Sequence, residues 1–459
     1  MTWPFARKAL TFSGGVHVPG LKTQTADLPI RRLPFPDTLS IPLLQHVGDA
    51  ARPIVGVGEH VERGQPIAEP TSDRSVAMHA PATGRVSAIG LAPNAAGHMA
   101  PAIFLEVNID SSQENAFERP TNIDTLSAPQ LILAIQMAGL VGMGGAAFPT
   151  HRKLALRVGQ RIDQAIVNGA ECEPYLTSDY RIMIEEPENV MRGIEIVLRI
   201  TGAKEAVIGV EDNKPLAMAA LRKCVPPGRP IRVQALQTKY PQGASRMLIK
   251  ALNGREIPTG GHAADVHVEL SNVSTVAAIG ELLPAGRGMI ERVVTITGPG
   301  VDRPGNYRIP IGVSLRYALE CAGLRNNAAA VLSGGPMLGT AIARLDVPIT
   351  KGVLGIVVLT EKELSLKPQP VYACIRCGHC IDVCPLGLNP ARLGALAENQ
   401  EYETMASEFN LTTCFECGSC SFVCPSNIPL VHHFRIAKAS LRRKRNLQSR
   451  SEPGTNKSQ

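Results

Sequence analysis

Eight of the eleven cysteines fall in two runs near the end of the chain, Cys374-Ile-Arg-Cys377-Gly-His-Cys380-Ile-Asp-Val-Cys384-Pro385 and Cys414-Phe-Glu-Cys417-Gly-Ser-Cys420-Ser-Phe-Val-Cys424-Pro425. Both repeat one spacing, C-x2-C-x2-C-x3-C-P, and nothing else in the sequence limits the fold so strongly. Three thiolates at this spacing turn toward one small cluster. The fourth, set back by three residues and followed by proline, points away and ligates the neighbouring cluster. The expected ligand sets are therefore crossed: Cys374, Cys377, Cys380 and Cys424 around one 4Fe-4S centre, and Cys414, Cys417, Cys420 and Cys384 around the other. Such a pair carries single electrons. Disulfides are the first alternative, but the opening Met1-Thr-Trp-Pro-Phe-Ala-Arg has no apolar signal core to direct the chain to an oxidising compartment. Zinc is the second, and it commonly uses C-x2-C pairs set far apart. Cys172, Cys224 and Cys321 are scattered, and for the last two a buried or indifferent thiol is the default.

A chain of 459 residues is too long for one core. Hydrophobic residues at 44% and charged residues at 19% describe a folded protein, and 42 glycines with 36 prolines imply many turns and strands. Aromatic residues are only 4%, which argues against stacking platforms, and hence against a nucleic-acid partner. The net charge of +7 is uneven. Arg442, Arg443, Lys444 and Arg445 follow the cysteine runs and read as a solvated tail, with an anionic membrane surface or an acidic partner as the second reading. Gln130 to Pro149 carries no charge over nearly the length of a membrane span, but its second half is dense in glycine and closes on proline. A buried helix followed by a loop is expected there. With no other candidate span, the chain is expected to be soluble or peripheral, and iron-sulfur clusters favour a reducing compartment.

Short apolar runs alternate with turn signals from Ile41 to about Asp110, as in a small antiparallel β-domain. The phrase VGEHVERGQPIAEP…HAPATGRV resembles the barrel-sandwich hybrid of biotinyl and lipoyl domains. The hairpin tip that carries a swinging lysine in those domains reads Pro70-Thr-Ser-Asp-Arg74-Ser-Val here, so a structural or docking module is expected rather than a prosthetic-group carrier. From Ser127 to Asn272, strand-like Ala165–Asn168, Ala206–Val210 and Ile231–Ala235 alternate with helix-like Lys214–Cys224 and Ser245–Leu252, which implies a three-layer α/β domain. Arg292 to Gly335 pairs β segments with one helix around Leu315 to Cys321 and resembles a ligand-binding β-grasp domain. Helices flank the cysteine runs from about Lys367, and the polar end after Asn446 is expected to be disordered. The expected division is residues 1–125, 126–285, 286–362, 363–446 and a tail of 447–459.

Val141-Gly142-Met-Gly144-Gly145-Ala-Ala-Phe-Pro149-Thr-His-Arg-Lys153 sets a glycine cluster between two helices, where bare backbone can approach a ligand and N–H groups can face a phosphate. A glycine loop alone is weak evidence. Asn168-Gly-Ala-Glu171-Cys-Glu173-Pro174 lies just past a predicted strand, where α/β folds present ligand-binding groups. GxGGAxFPTxxK, NGAECEP and SNVST together resemble the flavin-site signature of the NADH-oxidising subunit of respiratory complex I and its relatives. Joined to the hybrid domain, the β-grasp segment and the doubled cysteine motif, in that order, the chain is similar to the C subunits of the Rnf complex, from Gly14-Gly15-Val-His17 to the second cysteine run.

The resemblance implies FMN held noncovalently by Gly142, Gly144, Gly145 and Lys153, with Asn168, Glu171 and Glu173 lining the ring or ribityl side. Asn272, Ser274 and Thr275 would close the phosphate end. It implies NAD(H) as the hydride partner, two 4Fe-4S clusters, the membrane subunits of the Rnf complex as partners, and ferredoxin or flavodoxin as an indirect one. It also implies a peripheral position on the cytoplasmic face of the bacterial inner membrane and coupling to ion translocation. No catalytic acid or base is required, because the cofactors carry the chemistry. Complex I subunits have arginine where Met143 stands and glycine where Ala147 stands. Rnf C subunits usually read Tyr-Pro-Gln-Gly-Gly-Glu where this chain has Tyr240-Pro-Gln-Gly243-Ala244-Ser245, which weakens the NADH contacts most. Two rivals follow. One is a soluble flavin and iron-sulfur reductase like the cobalamin reductase of propanediol utilisation, whose flavin motif lies at the very N-terminus. The other is a cluster-only relay that has lost NADH binding.

Overall fold

The computed structural model describes residues 9–364 and 370–451, with side chains through residue 448. An N-terminal strap runs first, ending in the short strand β1 (Arg31–Arg32). The first module then contains β2 (Thr38–Pro42), β3 (Arg52–Pro53), β4 (His60–Val61), β5 (Pro66–Glu69), β6 (Met78–His79), β7 (Gly84–Pro93) and β8 (Met99–Val107). These form a four-stranded sheet in the order β2-β8-β7-β4 and a three-stranded sheet in the order β3-β5-β6. Alternate residues such as Leu39, Ile41, Ile103 and Leu105 point into the space between the sheets and are buried, the period-two pattern that a half-buried antiparallel strand requires.

The lysine-free hairpin tip between β5 and β6 docks on the next module. Gln136 Nε2 donates to the Ser72 and Ser75 carbonyls at 3.1 and 3.0 Å, His151 Nε2 lies 2.8 Å from the Asp73 carbonyl, and Arg152 pairs with Asp73 at 2.8 Å. The first two of those side chains belong to α1 (Ala128–Met137) and α2 (Thr150–Leu154). The uncharged stretch from Gln130 to Pro149 is thus a short helix followed by a loop. Among the described residues no helix is long and apolar enough to cross a membrane.

Next come β9 (Gln164–Gly169), α3 (Ser178–Glu185), α4 (Pro187–Thr201), β10 (Glu205–Glu211), α5 (Pro215–Cys224), β11 (Ile231–Leu236), α6 (Ser245–Asn253), β12 (Val268–Asn272) and α7 (Val273–Ala285). The four strands are all parallel and lie in the order β11-β10-β9-β12. Ala165, Val167, Ala206 and Ile208 pack beneath α1, α4, α5 and α7. Ile166, Val207, Leu236 and Leu270 pack on the other face beneath α6. That makes the three layers. The strand order reverses between β9 and β12, and an open parallel sheet offers a ligand crevice outside the carboxyl ends at such a reversal.

The third module contains β13 (Glu291–Thr297), β14 (Gly305–Pro310), α8 (Leu315–Cys321), β15 (Ala328–Ser333), β16 (Thr340–Ala341), β17 (Gly355–Thr360) and the short α9 (Glu361–Leu364). Its mixed sheet runs β1-β14-β13-β17-β15-β16, so the strap supplies one edge. The last module holds α10 (His379–Asp382), α11 (Pro390–Glu398), α12 (Tyr402–Ser407), α13 (Ser419–Phe422) and α14 (Leu430–Ser451) around a small core of Leu393, Leu396, Met405, Leu411 and Phe434. Lys367, where the flanking helical region was expected to begin, lies outside the described residues.

One expectation changes here. Residues 447–451, part of the stretch expected to be disordered, continue α14, which runs to Ser451. Leu447, Gln448 and Arg450 are good helix formers, and the first breaker, Pro453, comes only later. Positions beyond Ser451 lie outside the described residues.

Candidate flavin crevice and cluster nests

The glycine loop sits over the carboxyl ends of β9 and β12, against the start of α7. Asn272 caps that helix, its Oδ1 accepting from the Ser274 and Thr275 amides at 3.0 and 3.3 Å. Thr275 Oγ1 in turn accepts from the Met143 amide at 2.8 Å. A Cβ on Gly144 would lie 3.3 Å from that of Asn272, so the glycine lets the loop close onto the helix start. Ala147 has φ +47°. This left-handed conformation favours the glycine that complex I subunits have there.

Two residues that the motifs did not single out hold the loop in place. Arg292, at the start of β13, is buried and donates to the carbonyls of Met143 at 2.6 Å and Lys351 at 2.8 Å, and also to that of Val353. Burial pulls its pKa down to about 10, against the attraction of Asp179. Asp179 lies in the first turn of α3 and accepts from Asn272 Nδ2 at 2.7 Å and from the Ser274 hydroxyl. Its burial, and next the nearby Glu171, raise its pKa to about 6. An acid in the first helical turn is ordinary in sequence, and only the tertiary fold makes this one a buried hub.

Asn272, Ser274 and Thr275 therefore stand at the glycine loop, their side chains engaged in shaping it. Lys153 Nζ reaches the same strand end, 3.5 Å from Ser271 Oγ and 3.6 Å from Glu269 Oε1. Asn168 Nδ2 donates to the Gly243 carbonyl at 2.9 Å, and Asn168 Oδ1 accepts from the Ala170 amide at 3.1 Å. Glu171 is buried; its Oε1 accepts from the Asp179 amide at 2.9 Å, while Oε2 accepts no hydrogen bond and lies 3.8 Å from Lys22 of the strap. Glu173 faces the third module, with Oε1 accepting from the amides of Met337 and Leu338 at 2.7 and 3.1 Å and Oε2 unpartnered. Burial raises the Glu173 pKa.

Gln242, fully buried, has neither amide atom partnered. Two carboxylate oxygens and an amide without hydrogen-bond partners, on loops that Asn168 and Gly243 clip together, are the deficit expected where a polar cofactor completes a site. The residues present fit a flavin mononucleotide.

The two cysteine runs fold as near copies. Arg376 and Glu416, Gly378 and Gly418, and Gly387 and Asn427 occupy matching positions, and every one has positive φ. The copies exchange their last thiols. Cys384 joins Cys414, Cys417 and Cys420 around one cavity, and Cys424 joins Cys374, Cys377 and Cys380 around another. Burial, followed by Cys417, Cys414 and Cys384, raises the Cys420 thiol to about 12. Burial likewise raises Cys380, with Cys374, Cys377 and Cys424 adding to it.

Four neighbouring thiols that oppose one another's ionisation are costly alone, and the positive iron of a cluster relieves that cost. The donor set and its grouping fit two crossed 4Fe-4S clusters. Among the described residues no three His, Cys, Asp or Glu side chains converge to hold a metal ion. The four thiolates of a cubane bind four different irons, so they need not meet at one point as ligands of a single zinc ion do.

The crevice and the second-run nest share one connecting loop. Gly243 donates its amide to Cys172 Sγ at 3.3 Å on the crevice side, and Tyr240 Oη donates to the Cys417 carbonyl at 2.6 Å on the nest side. The strap passes between them, with Gly15 N donating to the Val383 carbonyl at 2.9 Å. At the first-run nest, Cys374 and Cys377 are exposed.

Comparison with known proteins divides the chain in the same order. Residues 10–110 match the RnfC barrel sandwich hybrid domain, residues 135–281 the Nuo51 FMN-binding domain, residues 293–341 the SLBB domain and residues 373–428 the 4Fe-4S dicluster domain. The chain is 40% identical over 402 residues to the C subunit of the proton-translocating ferredoxin:NAD(+) oxidoreductase complex of Clostridium ljungdahlii, covering 87% of each chain. It is 41% identical over 435 residues to the C subunit of the ion-translocating oxidoreductase complex of Edwardsiella ictaluri, covering 94% of this chain and 54% of that one. The counterpart in Pseudomonas aeruginosa is 42% identical over 443 residues, with 95% and 56% covered. The chain thus spans about half the length of the last two.

Proposed function

The chain belongs to the family of C subunits of ion-translocating oxidoreductase complexes, and on that premise we propose that it is the NADH-handling subunit, passing electrons between NADH, FMN and two 4Fe-4S clusters. When bound, the flavin exchanges electron pairs and each cluster exchanges one electron at a time. The protein's own residues supply position and electrostatics. The glycine loop admits the cofactor to the start of α7, Lys153 offers a point charge to a phosphate, and Glu171, Glu173 and Asn168 offer acceptors and a donor along the strand ends. Partners in this reading are the membrane subunits of the complex and, indirectly, ferredoxin or flavodoxin. Its position is peripheral, on the cytoplasmic face of the inner membrane.

One observation carries the reading. The 240–243 loop touches the crevice through Gly243 and the second-run nest through Tyr240. This contact supports an order in which a cluster held by the second run would take electrons from the flavin, and one held by the first run, with its exposed Cys374 and Cys377, would be the outer one. Anaerobic mixing of reconstituted protein with NADH tests it. Flavin bleaching followed by cluster reduction is expected. Reduction by dithionite with no response to NADH would reject it in favour of the cluster-only relay, the reading favoured by Ala244 and Ser245, which put no carboxylate at the start of α6.

A further inference from the structure

Tyr240 is completely buried, and its phenol ends on the backbone of a cluster ligand. Three other contacts fix it. Its amide and carbonyl form a bridge with Val16, at 2.8 and 2.7 Å. Gly15 passes so close that a Cβ there would lie 2.6 Å from the Tyr240 carbonyl oxygen. The preceding residue, Lys239, donates to the carbonyls of Phe12 and Gly14, the latter at 2.8 Å. Gly14 and Gly15 themselves rest on the Val383–Cys384 backbone. Strap, crevice loop and cluster module thus meet at one residue, the strap on its backbone and the cluster module on its phenol.

The crevice side of the same loop is equally tight, since a Cβ on Gly243 would lie 2.3 Å from the Ala170 carbonyl oxygen. The loop cannot shift toward one partner without leaving the other.

We propose that Tyr240 is a positioning residue of the electron path: its O–H···O=C bond to Cys417 clips the second-run nest to the crevice loop and sets a hydrogen-bond donor on the backbone of one of that cluster's ligands. Such a donor favours the more negative, reduced state, and hydrogen bonding around the ligands is an established lever on cluster potential. Tyr240 should therefore hold this cluster's potential more positive than it would otherwise be, leaving the other cluster's unchanged. The inference rests on the two-cluster reading but needs neither flavin nor NADH.

The test is a dithionite potentiometric titration of the reconstituted full chain, followed by electron paramagnetic resonance, for wild type and Tyr240→Phe. The second-run signal is identified as the one that remains in Cys374→Ala protein. The expected result is a shift of that signal alone to more negative potential, with the first-run signal unmoved. Unchanged potentials for both clusters would overturn the proposal and reduce Tyr240 to packing. Lys239→Met, which loosens the same loop without touching Cys417, separates the remaining possibility. An equal shift there would assign the effect to loop placement and also overturn it. Failure of NADH to reduce the flavin would count against the proposed function and leave this result standing.

Discussion

Cys384 shows how much a single side chain can owe to its spacing. It follows three ligands of the first run in sequence, yet it completes the cavity of the second. Replacing it with alanine should abolish the cluster of Cys414, Cys417 and Cys420 and spare the other, while Cys424→Ala should do the reverse; loss of the first-run signal in Cys384→Ala would reject the crossing. These ligands are legible in sequence because a cluster needs several thiolates at short fixed intervals. Asp179 and Arg292 are not. Each looks ordinary locally, one as an acid in a first helical turn and the other as a charge opening a strand. They become central because distant segments bury Asp179 against the start of α7 and Arg292 against the glycine loop.

At the scale of elements, the crossing of α4 and α7 governs the crevice, because α7 begins at the capped Asn272. The two helices approach until glycine is required on both: a Cβ on Gly193 would lie 1.9 Å from the Val276 carbonyl oxygen, and one on Gly280 would lie 2.0 Å from that of Asn189. Gly193→Ala should force them apart at a cost of roughly 1–3 kcal/mol. It should also reduce the flavin released on denaturation, measured beside thermal unfolding. An unchanged melting temperature with full flavin content would contradict this. Part of the module was readable from its periodicity: β9, β10 and β11 are short apolar runs, and α5 and α6 follow the last two, whereas β12, α3, α4 and α7 were not picked out. The extent of α14 was not, because polarity alone suggested disorder where helix propensity and the absence of a breaker prevailed.

Across the whole molecule, three modules meet at the buried Lys351. Its ammonium donates to the carbonyls of Ala77 in the first module and Gly139 in the second, at 3.0 and 2.7 Å, and it belongs itself to the third. Burial brings its pKa from the usual 10.5 down to about 7. Between those values the unfolded chain binds a proton that the folded chain has released, so this residue makes stability rise with pH from about 7 to 10.5. In Lys351→Met that rise should be smaller, as read by urea unfolding at several pH values; an unaltered pH profile would mean the amine titrates normally.

The sequence by itself determined the crossed grouping of the cysteines, the order of modules and the flavin motifs, because each depends on side chains at short fixed spacing or on local periodicity. Tertiary structure alone decided that the second-run nest is next to the crevice. It also decided which surface the lysine-free hairpin tip docks on, and that Tyr240, Arg292, Asp179 and Lys351 join the parts. Those roles arise from contacts between residues far apart in the chain, which no local pattern encodes.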